Sequence, residues 1–199
     1  MKTPILELHP TQLAVGMQQV YEKSNKLLRK SHKELKEYIE DHPVPVVQGP
    51  YNALYIIDHH HLCCAAIDVG QEKVVINIVA DWSHLPESGF WEEMESHHYV
   101  WCHNELGKAV DIKDLPRFLP RTVKQLKNDP YRSLAAIVRK RGGFEKVWTP
   151  FAEFHWANHF RSRVALSPEQ VIFSPSCIEQ AMVLCKHPDA YALPGYIKH

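Results

Sequence analysis

The sequence predicts an α+β protein, with a small mixed sheet first and a helical extension after it. Short apolar runs separated by turn residues fill the first half, as in strands, and capping residues followed by proline recur in the second half, as at helix starts. A chain of 199 residues is long enough to bury a substantial core. We therefore expect an α+β domain over residues 1–110 and a helical extension over residues 111–199, packed together as one compact unit.

Strands and helices alternate in the first half of the chain. Residues 3–8 are predicted to form one strand, which ends where Pro10 pushes the residue before it away from helical geometry. The charged segment 20–41, with its narrow apolar stripe, predicts one long helix. Further strands are expected at residues 44–47, 53–57 and 73–81, with a turn at residues 49–52 and a helix that follows Asp58 and stops at Gly70.

Helix starts in the second half are predicted wherever a capping residue precedes a proline, because proline suits the first helical position. These pairs are Asp129-Pro130, Thr149-Pro150 and Ser167-Pro168, the last with capping-box spacing to Gln170. A final helix opens at Ser176 and stops before Pro188, and Gly142-Gly143 ends the helix that begins at Asp129.

Composition limits the partners that the sequence favours. Lys plus Arg and Asp plus Glu number 23 each, whereas a dedicated DNA-binding protein usually has a basic excess, so the net charge does not favour nucleic acid. The 14 histidines would make the chain positive below about pH 6.5, so we expect anion binding to strengthen on acidification. The five cysteines form no disulfide framework, and no stretch approaches the roughly 20 apolar residues that span a bilayer. We expect a soluble, cytoplasmic protein with no membrane partner.

The most informative segment is an apolar strand that runs into Asp58-His59-His60-His61 and then into a helix. Such a strand places ionisable side chains beside the unpaired N–H groups and the positive dipole end of the helix, a position that suits phosphate or another anion. Asp58 is also a good N-cap, but capping does not explain three consecutive imidazoles. Walker, GxGxxG, GxSxG and HExxH motifs are absent from the sequence, which leaves this segment as the main candidate site.

The same segment resembles a known superfamily. An apolar strand, Asp, a variable residue, His-His and a helix resemble the Asp-Gly-His-His-Arg motif of the ParB/sulfiredoxin fold, and in particular the ParB-like nuclease family. Residues 8–16, 19–23, 129–135 and 150–157 are similar to other stretches of that family. The resemblance covers most of the chain and implies a small mixed sheet of the ParB/sulfiredoxin type.

The chain departs from the motif at two positions, since His59 and Leu62 stand where many superfamily members carry Gly and Arg. That Arg is expected to hold nucleotide phosphates in the relatives, so either the histidines replace it or the ligand is different. Cys63 and Cys64 lie on the helix beyond the motif, and the resemblance therefore does not imply sulfiredoxin activity.

The resemblance implies an enzyme of phosphate chemistry, either a nuclease or a phosphotransferase that acts on a small hydroxyl compound, as the free-serine kinases of the superfamily do. Asp58, His60 and His61 would be catalytic, with Asp58 as general base or metal ligand and the histidines stabilising charge on the phosphoryl group. The expected cofactor is Mg²⁺ with a nucleotide, and a small phosphorylated ligand or nucleotide suits the neutral charge better than nucleic acid. Ligand-binding residues would be Gln12, Gly16 and His59.

A second class of function stays open beside the enzyme. The missing Gly and Arg would also fit a non-catalytic module whose histidine-bearing turn binds an anion, a nucleic acid or a partner protein. Losing ligand-contacting residues is one way in which an enzyme fold becomes a binder.

Arg132 and Ser133 are further candidates for phosphate binding. Arg132 lies in the first turn of a predicted helix, against the preference of the helix dipole, so it should be held by a carboxylate or a bound phosphate. The alternative to phosphate binding is a salt bridge to Asp129 or Asp58. We expect Arg132 to lie in one pocket with Asp58, His60 and His61, where its guanidinium would replace that of the missing motif arginine.

His155 and His159 are four residues apart and share one face of a predicted helix. Such a pair can hold Zn²⁺ if a third ligand comes from elsewhere. Trp156 and Phe160 alternate with the two histidines, so the alternative is an aromatic helix whose histidines form hydrogen bonds in the core.

Overall fold

The computed structural model describes residues 1–198 of the chain. These residues form two compact units: residues 1–15 and 20–127 form the first, and residues 16–19 with the chain from Asn128 onward form the second. Residues 111–127 thus lie in the first unit, whereas the sequence interpretation assigned them to the helical extension. The predicted α+β class is confirmed, with the strands concentrated in the first unit and helices dominating the second.

A five-stranded mixed sheet lies at the centre of the first unit. Its strands are β1 (Lys2–Pro4), β2 (Leu8–Pro10), β4 (Val44–Gln48), β5 (Leu54–Ile56) and β6 (Lys73–Asp81), and two short strands outside it are β3 (Ala14–Val15) and β7 (Lys127–Asn128). The order across the sheet is β1-β6-β4-β5-β2. β5 is parallel to β2 and antiparallel to β4, whereas β4 is parallel to β6.

This topology decides which residues meet at each edge of the sheet. Pro10 pairs with Ile56 in the parallel β2–β5 ladder, so the residues that follow both strands emerge at one edge. Thr11 and Asp58 belong to that edge. β6 runs antiparallel to β5 by way of β4, and Asp81 at its carboxyl end therefore lies at the opposite edge.

Five helices begin before β7: α1 (Met17–Leu28), α2 (His32–Asp41), α3 (His60–Asp68), α4 (Glu87–Ser96) and α5 (Leu115–Phe118). One apolar cluster of the first unit forms where α4 and α5 pack with β4, and it includes Val47, Phe90, Met94 and Leu115. Apolar burial of this kind supplies the main driving force for folding. No helix within residues 1–198 is both long enough and apolar enough to cross a membrane.

Two sequence predictions in this unit are wrong. The helix expected over residues 20–41 is broken at Ser31, whose hydroxyl accepts a hydrogen bond from the Glu34 N–H while the Glu34 carboxylate accepts one from the Ser31 N–H. This capping box starts a new helix, and its Ser-x-x-Glu signature was readable in the sequence. The strand expected over residues 3–8 is likewise interrupted, because Ile5–Glu7 form a 3-10 turn between β1 and β2.

Three helices form the second unit: α6 (Pro130–Lys140), α7 (Ala152–Arg161) and α8 (Pro175–Leu184). Its core is aromatic, with Phe144 stacked on Trp156 at 4.3 Å between ring centroids and Phe160 beside them. The start of α6 is confirmed, because Asp129 caps it by accepting hydrogen bonds from the Tyr131 and Arg132 N–H groups.

Other predicted helix starts in this unit are shifted or wrong. Residues 167–170 form a turn rather than a helix, in which the Gln170 side chain accepts from the Ser167 N–H. α7 has Phe151 rather than Thr149 as its N-cap, and α8 begins after Ser174, two residues before the predicted start. Capping residues in the sequence therefore indicated where a new helix or turn begins, but they did not distinguish a helix from a turn.

The packing around Gly49, between β4 and β5, predicts opposite effects for two Gly→Ala substitutions in the same unit. An added Cβ at Gly49 would lie 2.7 Å from the buried Phe90 ring and 2.8 Å from Tyr55, whereas at Gly89 in α4 it would make an ordinary 3.6 Å contact. Gly49→Ala should lower the free energy of unfolding by about 1–3 kcal/mol through overpacking. Gly89→Ala should raise it by about 0.5–1 kcal/mol through helix propensity.

Urea unfolding followed by circular dichroism measures both changes. The backbone φ of Gly49 is −109°, which any residue adopts, so the cost at this position is steric. Equal stabilities of Gly49→Ala and Gly89→Ala would contradict the packing of β5 on α4.

Candidate functional site

The candidate site begins with Thr11, which connects the end of β2 to the end of β5. The buried Thr11 hydroxyl donates to the Ile56 carbonyl at 2.7 Å, and the Thr11 N–H donates to His60 Nε2 at 3.2 Å. The Thr11 carbonyl in turn accepts from the Trp101 N–H at 3.1 Å. One residue thus fixes the two strand ends and the first residue of α3 relative to one another.

His60 is an acceptor within the core of the first unit. Only 4% of the residue is exposed, and burial lowers its pKa to about 4, although the Asp58 carboxylate opposes that shift. His60 is therefore neutral near pH 7. Because Nε2 accepts from Thr11, the ring proton resides on Nδ1. The side chain that sequence reasoning placed among the catalytic groups holds the turn by a buried hydrogen bond.

Asp58 is exposed and does not cap α3, so the predicted N-cap role is wrong. Its Oδ1 accepts from the N–H of the adjacent His59 at 2.6 Å, and His59 is the N-cap residue. Across residues 1–198, no side chain caps this helix end and Asp58 Oδ2 makes no hydrogen bond. The first turn of α3 thus keeps N–H groups without helical partners, next to an exposed carboxylate.

His59 adopts the left-handed conformation, with φ 67° and ψ 18°. This geometry gives a physical reason why relatives carry Gly at this position, since glycine adopts it without cost and histidine is one of the few tolerated alternatives. Burial lowers the pKa of His59, although the Asp58 carboxylate opposes that shift; the charge of Lys23 adds a smaller lowering. Its Nδ1 is buried and has no hydrogen bond within the described residues.

The neighbouring residues complete the edge. His61, the second residue of α3, is half-buried. Gln12 is buried, and its amide donates to the Ala14 carbonyl at 2.8 Å, which folds the side chain onto its own loop. Leu62, which stands in place of the motif arginine, is only 2% exposed and is part of the core.

Arg132, Ser133 and Gly16 lie together in the second unit. A Cβ at Gly16 would lie 2.7 Å from the buried Ser133 hydroxyl, so only glycine allows this approach. The Arg132 guanidinium lies 3.8 Å from Glu153 and over the ring of Phe154. A carboxylate therefore lies beside Arg132, but it is Glu153 rather than the expected Asp129 or Asp58. That Arg132 shares a pocket with Asp58 stays a prediction.

His155 and His159 have different surroundings on α7. His155 is exposed, whereas His159 is buried and its Nε2 donates to the Leu184 carbonyl at 3.1 Å. In the part of the chain that the structure describes, no group of three or more His, Cys, Asp or Glu side chains is arranged to hold a metal ion. Asp58 alone fits Mg²⁺ only if substrate phosphates and water supply the other oxygen ligands.

Sequence reasoning missed Thr11 and the pair His42 and Lys23, whose charges reach His59. His42 follows α2 and belongs to no local sequence motif. Its ring stacks on that of Tyr38, with 4.0 Å between the ring centroids. Thr11 was readable only as the residue after a short strand. Their roles depend on which strands are neighbours, and that order is not encoded locally.

One comparison with known proteins identifies the family of this chain. The sequence profile of the family described as "Putative ParB-like nuclease" matches residues 1–162, a range that includes every candidate residue above. The crystal structure of protein Atu1540 from Agrobacterium tumefaciens is similar to this chain, with 34% sequence identity and a TM-score of 0.86 over 99% of this chain and 95% of that one. No curated protein matches the sequence. The predicted relationship is confirmed, and the chain belongs to the ParB-like nuclease family.

Proposed function

We propose that this protein hydrolyses phosphodiester bonds of nucleic acids at the turn formed by residues 58–61. The observation that carries the proposal is the uncapped amino end of α3 beside the exposed carboxylate of Asp58. Free N–H groups and the helix dipole favour a phosphoryl group at this end, and a carboxylate next to it can take a proton from water. The family of the chain supports the choice of a nucleic acid as the substrate.

Each part of the turn has a separate role in this proposal. Asp58 accepts a proton from the attacking water as the new P–O bond forms and the ester P–O bond breaks, and the leaving oxygen takes a proton from solvent. The N–H groups at the start of α3 hold the negative charge that develops on the phosphoryl oxygens. His60 is a positioning residue in this scheme, because its buried hydrogen bond to Thr11 fixes where the helix starts. His59 and His61 contact the substrate.

Nucleotide-dependent phosphotransfer is the less favoured version. The resemblance assigns nucleotide phosphates to a motif arginine, and the buried Leu62 replaces it here. His59 and His60 also have lowered pKa values, so neither is a cation near pH 7 that could replace the guanidinium. Mg²⁺ bound by Asp58 and substrate phosphates would supply further charge neutralisation.

Replacing Asp58 with Asn should lower the rate of cleavage of DNA or RNA by roughly two orders of magnitude or more, because the amide cannot accept the proton. Asp81→Asn is the matched control, since Asp81 is also an exposed carboxylate that accepts a backbone N–H after a strand, but at the opposite sheet edge. Gel assays with labelled single- and double-stranded oligonucleotides and Mg²⁺ or Mn²⁺ measure both rates.

Three results would contradict the proposal. Equal losses in the Asp58 and Asp81 variants would remove Asp58 from the chemistry. If the wild type binds oligonucleotides without cleaving them, and Asp58→Asn binds them with the same affinity, the non-catalytic binding module would be favoured. A thermal shift with nucleoside triphosphates and no cleavage of any nucleic acid would favour the phosphotransferase.

The left-handed conformation of His59 separates backbone from side-chain effects. His59→Gly should be more stable than His59→Ala by about 1 kcal/mol, because alanine keeps the Cβ penalty that glycine lacks. Thermal unfolding measures this difference. If the imidazole contacts substrate, both variants should lose cleavage activity alike. Full activity of His59→Gly would show that only the backbone geometry matters.

The lowered pKa of His60 predicts loss of stability in acid. The unfolded chain binds a proton near pH 6.5 and the folded chain only near pH 4, so stability from this residue is present above pH 6.5 and is lost as the pH falls toward 4. Between pH 7 and pH 4.5 the wild type should lose about 2 kcal/mol more than His60→Gln. The His60→Gln variant keeps an acceptor for the Thr11 N–H but does not titrate. If the free energies of unfolding in urea of the two proteins change in parallel with pH, the lowered pKa of His60 is refuted.

A further inference from the structure

We propose that the second unit binds single-stranded nucleic acid with the exposed indole of Trp148, the Lys146 ammonium over it and the cations that precede them in the sequence. We term this set the Trp148 surface: Arg139, Lys140, Arg141, Lys146 and Trp148. This inference rests on the proposed function, because it names the form of the substrate and where the chain would hold it. It is carried by Trp148, a residue that the sequence interpretation did not single out.

Trp148 is the most exposed large apolar residue of the described chain, at 96%. Leaving an indole in water forgoes the free energy that its burial would supply, so this exposed ring is available to a partner that covers it. Trp91, Trp101 and Trp156 are all buried in comparison. The position of Trp148 between α6 and α7 keeps its ring outside the aromatic core of the second unit, where Phe144 and Trp156 stack on each other.

Cations dominate the chain around this indole. The Lys146 ammonium lies 5.7 Å from the centroid of the Trp148 ring, over one face, so the opposite face is open to a planar partner. Residues 139–148 contain four cations and one carboxylate, Glu145. Lys140, Arg141 and Lys146 are exposed, whereas Arg139 is bound to Glu153 at 2.9 Å.

A polyanion with stacking bases fits this combination better than a small anion does. Cations that follow the backbone phosphates, together with an aromatic ring on which a base stacks, are the two elements of sequence-independent single-strand binding. A duplex keeps its bases stacked inside, so it could use the charges but not the indole. The surface therefore favours single-stranded DNA or RNA, even though the whole chain has no net charge.

The test measures binding without cleavage. Anisotropy of a labelled 20-nucleotide oligothymidine or oligouridine is recorded with EDTA, in the Asp58→Asn background, and tryptophan fluorescence is followed in parallel. Binding should quench the emission of the exposed indole. Trp148→Ala should weaken binding about 5- to 100-fold, the range found for loss of one stacked base.

Matched controls separate stacking and charge from general surface effects. Tyr51→Ala removes an aromatic residue that is 92% exposed, and the surrounding residues 45–57 include no Lys or Arg. This variant should leave the affinity for the oligonucleotide unchanged. Replacing both Lys140 and Lys146 with Ala should reduce the slope of log K against log salt by about 0.7 for each lost phosphate contact. Lys33→Ala, at an exposed lysine of α2, should leave that slope unchanged.

Four outcomes would overturn the inference. The first two are equal affinities of the Trp148→Ala and Tyr51→Ala variants, and equal affinities for the oligonucleotide and for a duplex of the same length. The other two are binding without quenching of the tryptophan emission, and a blue shift of that emission with anionic phospholipid vesicles but no response to oligonucleotides. The last outcome would identify a membrane surface instead. Single-strand binding without cleavage by the wild type would refute the proposed function but leave this inference standing. Cleavage at Asp58 with no effect of Trp148→Ala would do the reverse.

Discussion

The geometry of the candidate site depends on the hydrogen bond from the Thr11 N–H to His60 Nε2. It joins the residue after β2 to the first residue of α3, while the Thr11 hydroxyl binds the carbonyl at the end of β5. Both partners are buried, and an unsatisfied polar group there would cost about 1–3 kcal/mol. This bond requires a neutral imidazole, which is the form that the burial of His60 favours. The three histidines of the motif are therefore unequal.

The amino end of α3 breaks several rules that helices usually follow. The N-cap residue is left-handed, the expected capping carboxylate accepts a neighbouring N–H instead, and histidines occupy the first turn. Such local conflicts are tolerated where function or tertiary packing requires them. The first unit holds other left-handed residues as well, namely Tyr51, Asn52 and His98. The strained position is His59, where glycine would adopt the left-handed backbone conformation at a lower free-energy cost. A side chain retained there at a cost in stability is consistent with a role in binding.

The elements whose signals are local were predictable from the sequence. β6 was predicted over Lys73–Asp81 and is observed there, because alternating apolar residues fix both its type and its face. The break at Ser31 was encoded by a capping box that a continuous charge pattern concealed. What could not be predicted depends on contacts between distant residues. The role of His60 requires Thr11, 49 residues earlier, and the partner of Arg132 is Glu153 rather than its own cap residue.

Net charge is a weaker guide to partners than the distribution of charge. The equal numbers of acidic and basic residues argue against a chain that is basic throughout, but they do not exclude a local field. In the second unit, Asp129 and Glu153 are engaged by Arg161 and Arg139, so these carboxylates offset arginines that are themselves partly buried. The exposed cations near the carboxyl end of α6 are opposed only by Glu145 along residues 139–148. Because an ion pair that is buried contributes little to the field at the surface, the exposed Lys140, Arg141 and Lys146 can set the local field of this segment even though the whole chain has no net charge.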